Sequence, residues 1–168
     1  MYTQRFFLAI LTISSFLFLN SCKNSTTDDP NGPDGSLYGR LKNNTFAYYK
    51  GENVIFEGKG SSPHGKFKLR FNAKALAALD STGKLPVGAT FPDSAIVLKE
   101  VYNNSNELTQ YVPMMRLRNG ENSASGWVWA QYSPDGKVDY SVSKKGGKCV
   151  SCHSANGNRD LTLSFDLH

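Results

Sequence analysis

The sequence predicts a β-rich α+β domain, an antiparallel sheet with a few short helices around a single core. Three observations predict it. Residues 66–71, Lys-Phe-Lys-Leu-Arg-Phe, alternate strictly, which sends Phe67, Leu69 and Phe71 to one face of a strand. Residues 94–102 are rich in β-branched side chains. Ser133-Pro134-Asp135-Gly136 separates two further strand-like runs, as a hairpin turn does. No internal repeat interrupts this pattern.

Taken in order, the chain opens on a targeting segment. Arg5 supplies a positive charge, and residues 6–19 form an apolar run of the length of a secretory signal, short for a membrane span. The run ends in Leu19-Asn20-Ser21-Cys22, which resembles the lipobox of bacterial lipoproteins. That resemblance implies a signal over residues 1–21, cleavage before Cys22 and lipidation of its thiol. The mature chain is then expected to be exported and anchored to a membrane, facing the periplasm or the cell surface, without spanning it. Residues 22–36 carry the lipidated cysteine and a run rich in Asn, Ser, Thr, Asp, Pro and Gly, read as a flexible tether. Residues 37–168 are long enough for one core.

Within that domain, Asn72 is expected to cap a short helix running to Asp80, with Ala75, Leu76 and Leu79 on one side and Gly83 near its end. Residues 111–118 read as a strand in which Pro113 marks an edge or a bulge. Residues 126–132 and 137–143 form the hairpin. Trp127, Trp129 and Gln131 share one face, with Val128 and Ala130 on the other, and both tryptophans read as core. The tail over 160–165 is expected to pair as a last strand. The formal charge of +5 drops by one when Arg5 leaves, and the lysines are scattered apart from Lys144, Lys145 and Lys148. This is a solvated surface, and nucleic-acid binding is not expected.

The chemistry is concentrated in Cys149-Val150-Ser151-Cys152-His153, which follows Gly146-Gly147. Cys-x-x-Cys-His is the attachment signature of a c-type haem. Two thiols three positions apart sit on one side of a helical turn and can bond both vinyl groups of one porphyrin, and the histidine after them can ligate the iron. A redox disulfide or half of a zinc site would also use a Cys-x-x-Cys pair. Zinc wants four ligands, however, the remaining cysteine is Cys22, and no βαβ setting surrounds the pair. One covalent haem c is therefore expected, with His153 as the axial ligand. Export fits it, since c-type haem is attached outside the bacterial cytoplasm.

The motif lies near the C-terminus, whereas small electron-transfer cytochromes usually carry it near the N-terminus and draw a methionine from downstream. No methionine follows His153, and His168 reads as a frayed end. Met114, Met115 and His64 are the upstream candidates for a sixth ligand. Core packing is the expectation for the methionines, and a surface or hydrogen-bonding role for His64. A five-coordinate iron with an open face follows, and open faces bind small molecules. Lys99 shares a strand face with Ala95, Val97 and Val101, which costs free energy unless its ammonium escapes to water or finds a partner such as Glu100. Arg116 and Arg118 read either as a solvated strand face or as donors to a haem propionate or a bound ligand.

From about Ser62 onward the chain resembles the cytochrome P460 family, which includes the cytochromes c′-beta. The resemblance runs through Pro63-His64-Gly65-Lys66-Phe67-Lys68-Leu69-Arg70-Phe71-Asn72. It continues in Phe91-Pro92-Asp93-Ser94-Ala95-Ile96-Val97-Leu98-Lys99-Glu100, Gly126-Trp127-Val128-Trp129 and Asp135-Gly136-Lys137. It closes in the haem motif and Asp160-Leu161. It implies a β-rich fold around a five-coordinate haem, thioethers at Cys149 and Cys152, and proximal ligation by His153. Lys99 falls where cytochromes P460 carry a lysine cross-linked to the porphyrin. The family's enzymes oxidise hydroxylamine with nitric oxide chemistry, and their relatives bind nitric oxide or carbon monoxide without turnover. The pattern departs at the family's distal glutamate, which is not evident here: Glu107 falls early, and Gln110 or Tyr111 lies nearer its place. Leu161 replaces the family's usual tail tyrosine.

The expected protein binds small nitrogenous or gaseous ligands at an open iron. An oxidoreductase acting on hydroxylamine or nitric oxide, and an electron-transfer cytochrome with a sixth protein ligand, are the alternatives. A membrane, through the anchor, and a redox partner protein are the expected partners, and a homodimer is left open.

Overall fold

The computed structural model describes residues 29–59 and 62–165. The elements are α1 (Pro33–Asn43), β1 (Phe46–Tyr48), β2 (Phe56–Glu57), β3 (Lys66–Asn72), α2 (Ala73–Leu76), β4 (Ile96–Tyr102), β5 (Leu108–Arg116), β6 (Trp127–Trp129), β7 (Gln131–Tyr132), β8 (Val138–Tyr140) and α3 (Val150–His153). Short 3-10 turns occupy Tyr49–Gly51 and Val142–Lys144. The strands form one antiparallel sheet in the order β1-β3-β4-β5-β7-β8, with β2 beside β3 and β6 beside β5. This is the β-rich α+β architecture that the alternation predicts.

Both faces of the sheet are covered. Phe67, Leu69 and Phe71 of β3 are buried with Val97 of β4, Met114 of β5 and both tryptophans of β6. The other face buries Ile96, Leu98, Met115, Val128, Ala130 and Tyr132 under Leu37 and Leu41 of α1. Period-two alternation assigns each side chain to its core, and the tryptophans divide from Val128 and Ala130 as expected.

Helix α1 begins inside the segment read as tether, since Pro33 to Ser36 are already helical. Pro33 stands at the first helical positions, Asp34 lies in the first turn, and Arg40 and Lys42 lie in the last, all favourable to the helix ends. Asp34 is buried and holds the helix down: its carboxylate accepts from the Ser141 hydroxyl at 2.7 Å and from the Val142 amide at 2.8 Å. A patch of polar residues therefore hides a docked helix, because its few apolar residues, Leu37 and Leu41, are spaced to face the sheet.

Three further expectations are corrected. Asn72 does cap a helix, accepting from the Ala75 amide at 3.0 Å, but α2 ends at Leu76, which is exposed. Turns follow, and Gly83 closes a separate one by donating to the Asp80 carbonyl at 2.9 Å. Pro113 sits inside the sheet, opposite Leu98. It is tolerated there because the partner on its other side is broken between β6 and β7, where the Ala130 amide reaches the Pro113 carbonyl at a long 3.4 Å. The tail pairs only through a bridge between Arg159 and Thr162 and otherwise turns. The hairpin turn forms as read, with Ser133 and Lys137 paired across it at 2.9 Å.

Candidate cofactor site

A cavity of about 670 Å3 opens on the face of Phe67, Val97 and Met114, within the roughly 300–1,000 Å3 typical of cofactor pockets. Its floor is the middle of β3, β4 and β5, Trp129 forms a wall, and α3 contributes Cys149, Cys152 and His153. The sheet thus brings the haem motif and Lys99 together, across a large separation in sequence.

Helix α3 is a single turn, and backbone bonds fix it. The Gly146 carbonyl accepts from the amides of Cys149 at 2.7 Å and Val150 at 3.0 Å, and the His153 amide donates to the Cys149 carbonyl at 3.0 Å. Gly146 has φ +63°, and a Cβ there would run into the Trp129 indole, so glycine is required twice over. Both cysteines are free thiols. Burial pushes the Cys149 thiol above its ordinary range, while Cys152 is exposed.

His153 is oriented by a device that the sequence hides. Its Nδ1 lies 2.7 Å from the Leu161 carbonyl oxygen. A carbonyl only accepts, so Nδ1 carries the proton and Nε2 keeps its lone pair for a metal. Asp160 and Leu161 both adopt left-handed backbone, with φ +49° and +62°, a conformation that costs non-glycine residues about 1–2 kcal/mol each. Their surroundings hold them in it. Asp160 Oδ2 accepts from the Phe91 amide at 2.9 Å and faces Arg116 Nε at 3.5 Å. The Leu161 amide donates to Asn158 Oδ1 at 2.9 Å. Trp129 packs its edge on the His153 ring at 4.9 Å between centroids.

Lys99 lies on β4 between Leu69 of β3 and Val112 of β5. It is neither at a sheet edge nor paired with Glu100, which points to the opposite face and binds Arg70 at 2.6 Å. Its ammonium stands 4.2 Å over the centre of the Phe67 ring and lines the cavity. Burial pulls its pKa down to about 8, against a smaller opposing pull from Cys152.

His64 overturns the expectation of a surface role. It lines the same cavity, with its ring centroid 6.5 Å from that of His153 and the planes at 68°. Burial, then Lys99, then His153 lower its pKa to about 4. Met114 also lines the cavity, whereas Met115 belongs to the core under α1 and cannot reach it.

The positions considered for a distal acid separate. Glu107 is exposed and turned onto Asn103, and Tyr111 borders a pocket on the α1 face. Gln110 donates to Asp139 Oδ2 at 3.2 Å, and Asp139 is the acid that lines the cavity among the described residues. No sequence signal distinguishes Asp139 from other exposed acids. Arg116 is buried against Asp160 and Trp127, and Arg118 pairs with Asp93, so neither reaches the cavity. Trp127 is core, as expected, while Trp129 serves both core and cavity. Cys22 and His168 lie outside the described residues.

The residues present fit a covalently bound porphyrin. A turn of helix offers two free thiols to an apolar cavity, and beside them a histidine has one nitrogen anchored and the other available. A β-rich domain with this arrangement defines a c-type haem cytochrome. The chain belongs to the cytochrome P460 family, whose sequence profile matches residues 48–164, and its cofactor is covalently attached haem c. No curated protein matches the chain.

Proposed function

We propose that the chain is an exported, lipid-anchored mono-haem cytochrome whose iron binds or redox-processes small nitrogen ligands, nitric oxide and hydroxylamine among them. The observation that carries this reading is the meeting of Cys149, Cys152, His153 and Lys99 at one apolar cavity. Cys149 and Cys152 would hold the haem through thioether bonds to its two vinyl groups. His153 would ligate the iron through Nε2, while the Leu161 carbonyl holds its Nδ1–H. When bound, the haem would supply a redox-active iron able to take up a small ligand. Phe67, Val97 and Met114 exclude water from the cavity floor, and Lys99, partly deprotonated near neutral pH, has the nucleophilic amine that a cross-link to the porphyrin edge requires.

Gln131, Asp139 and Tyr140 are the polar residues of β7 and β8 at the cavity. An exposed aspartate is a weaker device for taking protons from a bound nitrogen substrate than an enclosed one, so ligand binding is expected to outrun hydroxylamine turnover. Electron transfer through an iron with a sixth protein ligand is the second reading, and the position of His64 favours it. The anchor at Cys22 rests on the lipobox-like run. No helix among the described residues is long and apolar enough to cross a membrane.

Expression in a host that matures c-type cytochromes tests the reading. The purified protein should carry one haem that survives denaturation, and its ferrous form should bind nitric oxide. A strongly red-shifted ferrous Soret band that Lys99→Ala abolishes would establish the cross-link. An ordinary band in the wild type would dismiss it. A protein without covalent haem would end the proposal.

A further inference from the structure

We infer that His64 is a sixth, displaceable ligand to the haem iron, so that the resting iron is held between two imidazoles and an external ligand must replace His64 to bind. The inference rests on the haem reading of the preceding subsection and concerns the opposite side of the same iron.

Distance carries it. The His64 and His153 rings stand 6.5 Å apart, centre to centre, at the same cavity. Ring pairs in the core reach the same separation, as Phe91 and Phe165 do at 6.5 Å, so what distinguishes the histidines is the match of their spacing to a shared metal and the place of both rings at the cavity. A metal–imidazole bond is about 2.0 Å and the ring centre lies about 1.2 Å behind its nitrogen, so one metal atom ligated from both sides separates the centres by about 6.4 Å. A histidine that instead hydrogen-bonded to a ligand already on the metal would stand at least about 2 Å further away. The observed spacing matches direct ligation and leaves no room for an intervening diatomic.

The local chain supports the same assignment. Pro63 fixes its own φ just before His64, and Gly65 follows with φ +50°. The Gly65 carbonyl accepts from the Gly58 amide at 2.8 Å, which ties the turn to the residues beside β2. His64 is therefore delivered by a constrained turn at the head of β3, the strand that also supplies Phe67 to the cavity floor. Lys99 and Met114 also line the cavity. They are the competing ligands.

The test uses the full-length holoprotein matured with covalent haem, and reads the ferric iron by absorption, electron paramagnetic resonance and near-infrared magnetic circular dichroism at neutral pH. The wild type should be low-spin with the signature of two imidazole ligands. His64→Ala should keep its covalent haem, turn high-spin, and return to low-spin when free imidazole is added. Its affinity for cyanide or nitric oxide should rise about tenfold or more, because the competent state no longer has to be freed from His64. A high-spin wild type overturns the inference. So does a low-spin wild type whose signature is that of an amine or a thioether, or a His64→Ala protein that stays low-spin. The wild-type spectrum decides the matter even if His64→Ala fails to mature. Absence of covalent haem from the wild type would instead remove the haem reading itself, which separates the two failures.

Discussion

The two faces of the sheet are built from the same strands and closed in opposite ways. Under α1, the buried charges are paired: Glu100 binds Arg70 at 2.6 Å and accepts from the Tyr102 hydroxyl at 3.2 Å, and Asp34 is bonded to Ser141 and Val142. On the cavity face, adjacent residues of the same strands leave polar groups unsatisfied. Lys99 stands over the Phe67 ring with no carboxylate beside it among the described residues, and Trp129 Nε1 has no hydrogen-bond partner. Burying such groups unpaired costs about 1–3 kcal/mol each. Arg70 Nε on the α1 face also lacks a partner, so the contrast lies in the charges: those under α1 are paired, and the ammonium on the cavity face is not.

The sharpest way to break the comparison is to remove the thiols. Cys149→Ala with Cys152→Ala should abolish covalent haem completely, read as loss of pigment from the denatured polypeptide, while Asp34 and α1 keep their contacts and the far-ultraviolet circular dichroism of the fold is retained. Pigment that survives denaturation in the double variant would sink the assignment. The opposite face is tested by Glu100→Ala, which strands Arg70 next to the core. Breaking a buried pair costs about 3–5 kcal/mol, and because a quarter of the Arg70 side chain is exposed, about 3 kcal/mol is expected in urea unfolding. The haem spectrum should not move. A spectral change in this variant would mean that the two faces are coupled through β4.

Gly146→Ala comes next in size. It forces a left-handed backbone on alanine and drives a methyl group toward Trp129, at about 1–3 kcal/mol. Because Trp129 packs on His153, this loss should come with a perturbed haem spectrum, unlike the loss at Glu100. An unchanged spectrum would show that Trp129 does not orient the ligand.

What the sequence made legible follows from range. The alternation in β3, the hairpin turn, the division of Trp127 and Trp129 from Val128 and Ala130, and the haem motif are all carried by neighbours in sequence. Lys99 was legible as an anomaly, a cation on an apolar face, though not its position over Phe67. Helix α1 was missed because its docking depends on Asp34 reaching Ser141 and Val142 far along the chain. The Asp160–Leu161 turn reads as a strand in the sequence because nothing local marks two left-handed non-glycine residues. The bonds from Asp160 to Phe91 and Arg116 impose that conformation. His64 looked like a turn residue because its partner His153 is distant in sequence and only the sheet brings them together.

The smallest expected effect is on pH dependence, and it belongs wholly to the cavity face. In the haem-free chain the His64 pKa falls from 6.5 to about 4, chiefly through burial, and that of His153 is lowered by the same cause. Between those values the unfolded chain binds protons that the folded chain refuses, so stability rises with pH there and is lost as pH falls from about 6.5 toward 4. Lys99, lowered from 10.5 to about 8 by burial, acts with the same sign at higher pH, and its penalty fades as pH rises from 8 toward 10.5. Protein made without haem should therefore have a lower urea midpoint at pH 5 than at pH 7. His64→Gln should flatten that slope by removing the larger of the two histidine contributions. Asp80 and Asp135, whose exposed carboxylates are lowered below 3.8 by hydrogen bonds, come into play only in stronger acid. Covalent haem should keep or steepen the slope between pH 5 and 7, since a ligated imidazole has no lone pair left to protonate while the same histidine still takes a proton in the unfolded chain. A holoprotein with the same urea midpoint at pH 5 and pH 7 would mean that neither histidine is kept from protonation by iron.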